Sequence, residues 1–245
     1  AVDFAHEFGS QVYAMEVFNV TAGAGNLANI SEKVNERSQT RLKEIIGMVD
    51  SKGVSIKIAT YNGDLIDGLK EVNDELGIDL IIISPRSNDI KEGLYLGHCS
   101  GRIVKRTDIP TLIVPKGSAF TPFKKILTAF KSGILKRNEI LDSLRSIQKK
   151  FDAKVNLLMV KTPGYTEEDL QINTNLMDLS SQLTFTENAT TYLGIMEHIQ
   201  AKQPDLLCVF RRKRGIFQNL WEKNTIPKAE FSARIPVLVL SVKKD

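Results

Sequence analysis

The chain has 245 residues, of which 42% are hydrophobic and 25% charged, and this is the composition of ordinary globular protein. No apolar run approaches the roughly 20 residues that a membrane-spanning helix needs, and the net charge of +4 is too small to favour nucleic acid as a partner. Two cysteines, Cys99 and Cys208, fall in or beside apolar runs, as buried thiols do in a reducing compartment. These totals favour a cytoplasmic protein of one large or two small domains.

Helical and strand patterns alternate through the first half. Gly9 is expected to close a first helix. Ser31 is expected to cap a long helix that ends before Gly53, and Asp64 to cap another that ends at Gly77. Alternating helices and strands predict a parallel sheet with helices on both faces. The strands are predicted at 11–20, 54–59, 80–83 and 112–114.

The second half repeats this order after a short Gly/Ser/Pro linker. The run Asp79-Leu-Ile-Ile-Ile returns as Asp205-Leu-Leu-Cys-Val, and each copy is followed later by a closing strand that begins at a proline. Such self-similarity predicts a tandem duplication, with units at 1–117 and 122–245 and a five-stranded open parallel sheet in each. Strands of the second unit are predicted at 125–130, 154–160, 183–186, 206–210 and 237–240.

The first unit is expected to lack its opening strand. The second unit opens with a strand at 125–130, whereas the first opens directly on a helix. The opening strand usually lies centrally in a sheet whose strand order reverses, so its loss would leave a gap. Two explanations stay open: residues precede Ala1 in the full protein, which the sequence favours, or another segment fills the place.

The order of strands, loops and helices in these units resembles the universal stress protein family in a tandem form. The resemblance rests on the 79–83 strand with its loop, on Leu96-Gly97 leading into a helix, and on Ile109-Pro110 opening the closing strand. It implies a Rossmann-like sheet in each unit. It also implies antiparallel pairing of the closing strands, Thr111–Val114 and Val237–Leu240, either inside the chain as a pseudo-dimer or between two chains. An apolar edge strand needs such cover.

The resemblance also implies a candidate ATP loop at residues 84–98. Nucleotide-binding members carry Gly-x2-Gly-x9-Gly-(Ser/Thr) here, and the four positions fall on Ser84, Ser87, Gly97 and His98. The spacing is retained, but three of the four residue types differ. Glycine lets backbone N–H groups approach phosphates through angles that serine disfavours. Arg86 could compensate in part as a phosphate donor.

Further positions of the family pattern are kept or lost. A valine that lines the adenine pocket in binding members persists as Val17 and, in the second half, Val160. An aspartate that contacts the adenosine is replaced by Lys131. No glycine remains in the second-half loop, whose four positions are Phe210, Lys213, Lys223 and Asn224.

The basic run 211–214 is the densest in the chain and could hold a phosphate or an acidic partner, or form a solvated loop. No cysteine–histidine spacing resembles a metal site, and no Ser-His-Asp arrangement is visible, so no metal-binding or catalytic residue is assigned. Two functions stay open. The sequence favours a regulatory stress-response module that acts through dimer-type packing and by binding a ligand or an unidentified protein partner, without turnover or cofactor. The alternative is ATP binding by the 84–98 loop, with or without slow hydrolysis.

Overall fold

A computed structural model describes residues 1–20, 27–84, 98–135, 137–211 and 235–241, except for the side chains of residues 27, 28 and 98. Seven α-helices and nine strands lie within these ranges. The helices are α1 Val2–Phe8, α2 Leu27–Gly47, α3 Leu65–Leu76, α4 His98–Arg106, α5 Asp142–Phe151, α6 Thr174–Asp178 and α7 Thr191–Lys202. The strands are β1 Val12–Phe18, β2 Ile56–Asn62, β3 Ile81–Ile83, β4 Thr111–Ile113, β5 Lys125–Phe130, β6 Lys154–Lys161, β7 Gln182–Glu187, β8 Leu206–Arg211 and β9 Val237–Ser241.

Several helix ends follow the local sequence as predicted. Gly9 and Gly77 close α1 and α3 in the left-handed conformation, with φ of 61° and 66°. The Asp64 carboxylate accepts the backbone N–H of Ile66 at 2.8 Å and so caps α3. The cap expected at Ser31 is wrong. This residue lies inside α2, and its hydroxyl oxygen accepts the Asn62 side-chain amide at 2.9 Å, so it fixes the helix to the end of β2.

The described strands form two sheets. β1 pairs with β2 in parallel, and the other seven strands follow the order β3-β4-β9-β8-β5-β6-β7. Every pairing is parallel except the antiparallel contact between the closing strands β4 and β9. The predicted α/β class with parallel sheets is therefore confirmed. The expected two sheets of five strands are replaced by sheets of two and seven, because β4 joins β9 and no described strand adds to β1.

The chain divides into two compact units, residues 1–78 and 79–245. The two-stranded sheet belongs to the first unit and the seven-stranded sheet to the second. The compact units therefore differ from the sequence repeats predicted at 1–117 and 122–245, because β3 and β4 are built into the sheet of the second repeat. The repeat boundary describes duplication of sequence, and it stays a prediction.

The two units differ in how completely their strands are buried. In the second unit, one sheet face packs against Val104 of α4 and Ile195 of α7, and its core side chains include Leu127, Val209 and Val239. In the first unit every residue of β1 is only half-buried, and no residue of β2 is fully buried. The well-packed core therefore lies in residues 79–245.

Candidate functional site

The structure describes the two ends of the candidate ATP loop. Ser84 follows β3 directly and is exposed, and His98 is the first residue of α4. Arg86, Ser87 and Gly97 lie outside the described residues, as does the His98 side chain. Val17 is half-buried near the end of β1, in the other compact unit. The assignment of these residues to a nucleotide site therefore stays a prediction.

In the second half, the described residues define the corresponding edge of the sheet. β5 and β8 are neighbours in this sheet. After β5 the chain continues to β6 on one side, and after β8 it continues to β9 on the opposite side. The carboxyl ends of β5 and β8 therefore mark the switch point of this sheet, where open α/β folds bind their ligands. Phe130 ends β5, and Phe210 and Arg211 end β8.

Two aromatic rings occupy this switch point. Phe130 and Phe210 are 0% and 1% exposed, and their ring centroids lie 6.3 Å apart with the planes at 62°. This edge-to-face contact is one of the preferred aromatic geometries. Phe210 stands at the first glycine position of the family pattern. The resemblance therefore aligns a buried core ring with a position at which nucleotide-binding members carry glycine.

The segment after β6 packs against the chain that leaves β5. The Asn173 N–H donates to the Gly133 carbonyl at 2.9 Å, and Gly133 forms a parallel bridge with Ile172. A Cβ atom added to Gly133 would lie 2.7 Å from the Ile172 Cα, so only glycine allows this approach. The 162–173 connection therefore covers the exit of β5.

The carboxylate of Asp169 belongs to the same 162–173 connection. Asp169 accepts the backbone N–H of Thr166 at 3.0 Å and the Thr166 hydroxyl at 3.2 Å. The hydrogen bond from the Thr166 backbone is the main cause that lowers the pKa of Asp169, and the Ser132 side chain and the positive charge of Lys131 act in the same direction. Lys131, which replaces the family aspartate, therefore acts on a negative charge of this chain.

The Arg211 guanidinium forms hydrogen bonds within the fold. Its Nη1 donates to the carbonyls of Val104 at 2.9 Å and Lys105 at 2.5 Å, and its Nη2 donates to Asp108 Oδ1 at 2.6 Å. The guanidinium thus satisfies the last turn of α4, where cations are favoured. This role could not be predicted from local sequence because the partners lie about a hundred positions away along the chain. Residues 212–214 of the basic run lie outside the described ranges.

The remaining candidates carry no chemistry in the described part of the chain. Burial raises the pKa of the Cys208 thiol, so this cysteine is held as an inert neutral group. Among the described residues, no group of three His, Cys, Asp or Glu side chains is placed to hold a metal ion. Nor does any helix of these ranges have both the length and the apolar character needed to cross a membrane.

The fold defines an open, mainly parallel α/β protein, and comparison with known proteins narrows the class. Residues 1–115 match the universal stress protein family. Universal stress protein G of Salmonella typhimurium is 26% identical over 91 residues, which are 37% of this chain and 63% of that protein. The match thus spans less than two thirds of the curated relative.

Solved structures extend the likeness in fold to nearly the whole chain. A universal stress protein from Archaeoglobus fulgidus superposes with a TM-score of 0.70 and 13% identity, over 98% of this chain and 89% of its own. A functionally unknown protein from Pseudomonas aeruginosa gives a TM-score of 0.56 and 17% identity, over 97% and 84%. The sequence similarity to the universal stress protein family thus lies in the first 115 residues, and the likeness over the rest of the chain is one of fold.

Proposed function

We propose that this chain is a universal stress protein that works as a cytoplasmic regulatory module, without turnover, by binding a ligand or a protein partner. The observation that carries the proposal is the filled switch point of the second half. Phe130 and Phe210 are buried against each other there, and the neighbouring Arg211 is engaged by α4. An edge in this state supports packing rather than the approach of a nucleotide phosphate.

The closing strands support an internal pseudo-dimer as the basis of this module. β9 has β8 and β4 as neighbours, and β4 has β3 and β9. Thr111, Leu112 and Ile113 pair in antiparallel register with Val239, Leu238 and Val237. Because both edges of each closing strand are already occupied, the partner is expected to use another surface of the protein.

The second candidate is ATP binding by the 84–98 loop of the first half. It is favoured by the position of α4, which begins at His98, directly after the third glycine position of the pattern. The N-terminus of a helix offers free N–H groups and a positive dipole end to phosphate. In this candidate Ser84 and Ser87 would add hydroxyl donors, and Val17 would line the base.

Nucleotide content and affinity test both candidates on the full chain. Freshly purified protein is denatured and the supernatant is analysed by ion-exchange chromatography, and the stripped protein is titrated with ATP by calorimetry. The regulatory proposal expects an empty protein and no heat at millimolar ATP. Stoichiometric ATP or micromolar binding would refute it.

A matched pair of variants locates any binding that is found. Gly97→Trp places a bulky ring in the first-half loop, and Lys223→Trp places the same ring at the equivalent second-half position. Loss of ATP binding in the first variant alone would establish the 84–98 loop as the site. Loss in the second alone would overturn the conclusion drawn from the Phe130–Phe210 pair. Circular dichroism of both variants distinguishes loss of a site from loss of folding.

A further inference from the structure

Exposed lysines collect at the edge of the large sheet where β5, β6 and β8 begin. The Lys154 N–H donates to the Lys124 carbonyl at 2.8 Å, and the Asp205 N–H donates to the Lys125 carbonyl at 2.8 Å. Three segments that meet there hold six lysines and two aspartates: 124–125, 149–154 and 202–205. All six lysines are exposed, and together they form the lysine cluster: Lys124, Lys125, Lys149, Lys150, Lys154 and Lys202.

The positive charge of the lysine cluster is not balanced by the chain around it. Lys125 and Lys154 are direct partners in the register of β5 and β6, and like charges on neighbouring strands repel each other. The Asp205 carboxylate accepts the backbone N–H groups of Lys124 and Lys125, both at 2.8 Å, so it serves the main chain. Four of the six lysines make no ion pair with any described residue: Lys125, Lys149, Lys154 and Lys202.

Helix ends account for only part of this charge. The helix dipole favours cations in the last turn, which explains the lysines at the ends of α5 and α7. The Lys124 Nζ likewise donates to the Phe151 carbonyl at the end of α5, at 2.7 Å. The described contacts give no such role to Lys125 or Lys154. The charge at the strand starts is therefore more than the fold requires.

The exposed face of α3 carries the opposite charge. Its four carboxylates lie within an arc of about 80° by helical spacing, and they form the acidic face: Asp67, Glu71, Asp74 and Glu75. Asp74 and Glu75 lie in the last turn, where the dipole disfavours negative charge, and this turn has no basic residue. None of the four makes an ion pair with a described residue. Lys70 is the single cation in the sequence of α3.

We propose that the acidic face of α3 in one copy of the chain docks on the lysine cluster of a second copy. Each surface holds like charges that repel one another, and a partner of opposite sign relieves the repulsion on both. Two copies related by two-fold symmetry make the contact twice. This surface is separate from the closing strands, whose edges are already paired.

The composition of the lysine cluster disfavours nucleic acid and membrane as occupants. Its three segments hold no arginine, the residue that binds phosphate groups in a bidentate way. The aromatic residues beside it, Phe123 and Phe151, are 3% and 5% exposed. They offer neither a stacking surface for bases nor an apolar anchor for a lipid surface. A carboxylate-bearing helix needs neither feature.

Sedimentation equilibrium of the full chain measures the association. We expect the average mass to rise above that of the monomer between about 10 and about 200 μM chain, in about 50 mM NaCl. The rise should disappear in about 0.5 M NaCl, because the Debye length falls to about 4 Å.

A charge swap identifies the two surfaces. The first double variant, Lys125→Glu with Lys154→Glu, reverses charge in the lysine cluster. The second, Asp67→Lys with Glu71→Lys, reverses charge on the acidic face. Each variant alone should associate at least about tenfold more weakly than the natural chain. An equal mixture of the two should associate again, because each reversed surface then meets its complement. Recovery in the mixture also shows that both variants are folded.

The matched control is Lys33→Glu with Lys43→Glu, two exposed lysines of α2. It changes the net charge as much as the first variant does, and association should change less than about twofold. Four results would overturn the proposal: a monomer at about 200 μM, association that resists 0.5 M NaCl, an equal loss in the α2 control, or a mixture of the swapped variants that stays monomeric. Nucleotide content tests the regulatory function and the ATP candidate separately, so none of these results decides either one.

Discussion

Replacing Arg211 by methionine is expected to destabilise the seven-stranded unit more than the loss of one polar side chain usually does. The guanidinium extends from the end of β8 to the last turn of α4, and its side chain is only 14% exposed. It donates to two main-chain carbonyls and to Asp108. Methionine keeps most of the aliphatic stem, so the change isolates the hydrogen bonds and the charge.

The magnitude follows from the three bonds and their exposure. A hydrogen bond to a charged group contributes about 1.5–3 kcal/mol. The Lys105 carbonyl is at the surface and the Asp108 side chain is 35% exposed, so water replaces part of what is lost at each. We therefore expect Arg211→Met to lower the free energy of unfolding by about 2–3 kcal/mol. Arg211→Lys keeps a positive charge near the carboxyl end of α4 but lacks the paired N–H donors of the guanidinium. This variant should therefore show roughly half of the loss in the free energy of unfolding.

Urea unfolding followed by circular dichroism measures this loss, read as a shift of the midpoint at constant slope. Arg145→Met is the matched control. Arg145 pairs with Asp142 at 2.8 Å, but both side chains are exposed, so its removal should cost less than about 0.5 kcal/mol. Equal shifts of the midpoint in the two variants would contradict the role assigned to Arg211. A double-mutant cycle with Asp108→Asn should give a coupling of at least about 0.5 kcal/mol.

Three further predictions concern other parts of the second half and one control in α2. Gly133→Ala should lower stability to urea by about 1–3 kcal/mol because its Cβ meets neighbouring backbone. Gly47→Ala, which has open space, should be neutral or stabilising, and equal losses would contradict this. The pKa of Asp169 lies below its ordinary 3.8, so its stabilising effect is present above about pH 4 and is lost as the pH falls through the native pKa. Asp169→Asn should therefore flatten the acid limb of stability against pH, and an unchanged limb would contradict the assignment. Cys208 should react with a thiol reagent only on unfolding, tested in a Cys99→Ser variant, and rapid native labelling would show the burial to be wrong.

Features set by neighbouring residues could be predicted from the sequence. Asp64 caps α3 because its carboxylate accepts a backbone N–H of the first turn. Gly77 ends the helix because glycine readily adopts the left-handed conformation. Short apolar runs separated by helical patterns likewise identified the strands of both halves. The failure at Ser31 has the same origin: its hydroxyl is used by Asn62, a residue that local pattern cannot bring to it.

Features set by distant partners could not be predicted. The run at 211–214 is a basic loop by composition, and only the fold brings Arg211 to the carboxyl end of α4. Phe210 was identified at a glycine position, but its packing against Phe130 depends on the pairing of β5 with β8. Candidate residues Arg86, Ser87 and Gly97 lie outside the described ranges, so this part of the site rests on sequence alone.

The two departures from the expected pair of five-stranded sheets follow one rule: a strand that is apolar on both faces needs a neighbour on each edge. β4 and β9 are fully buried short strands, and each is the second neighbour of the other. Their antiparallel pairing thereby covers both closing strands within one chain. This pairing also explains why the second compact unit begins at residue 79 and not at the predicted linker.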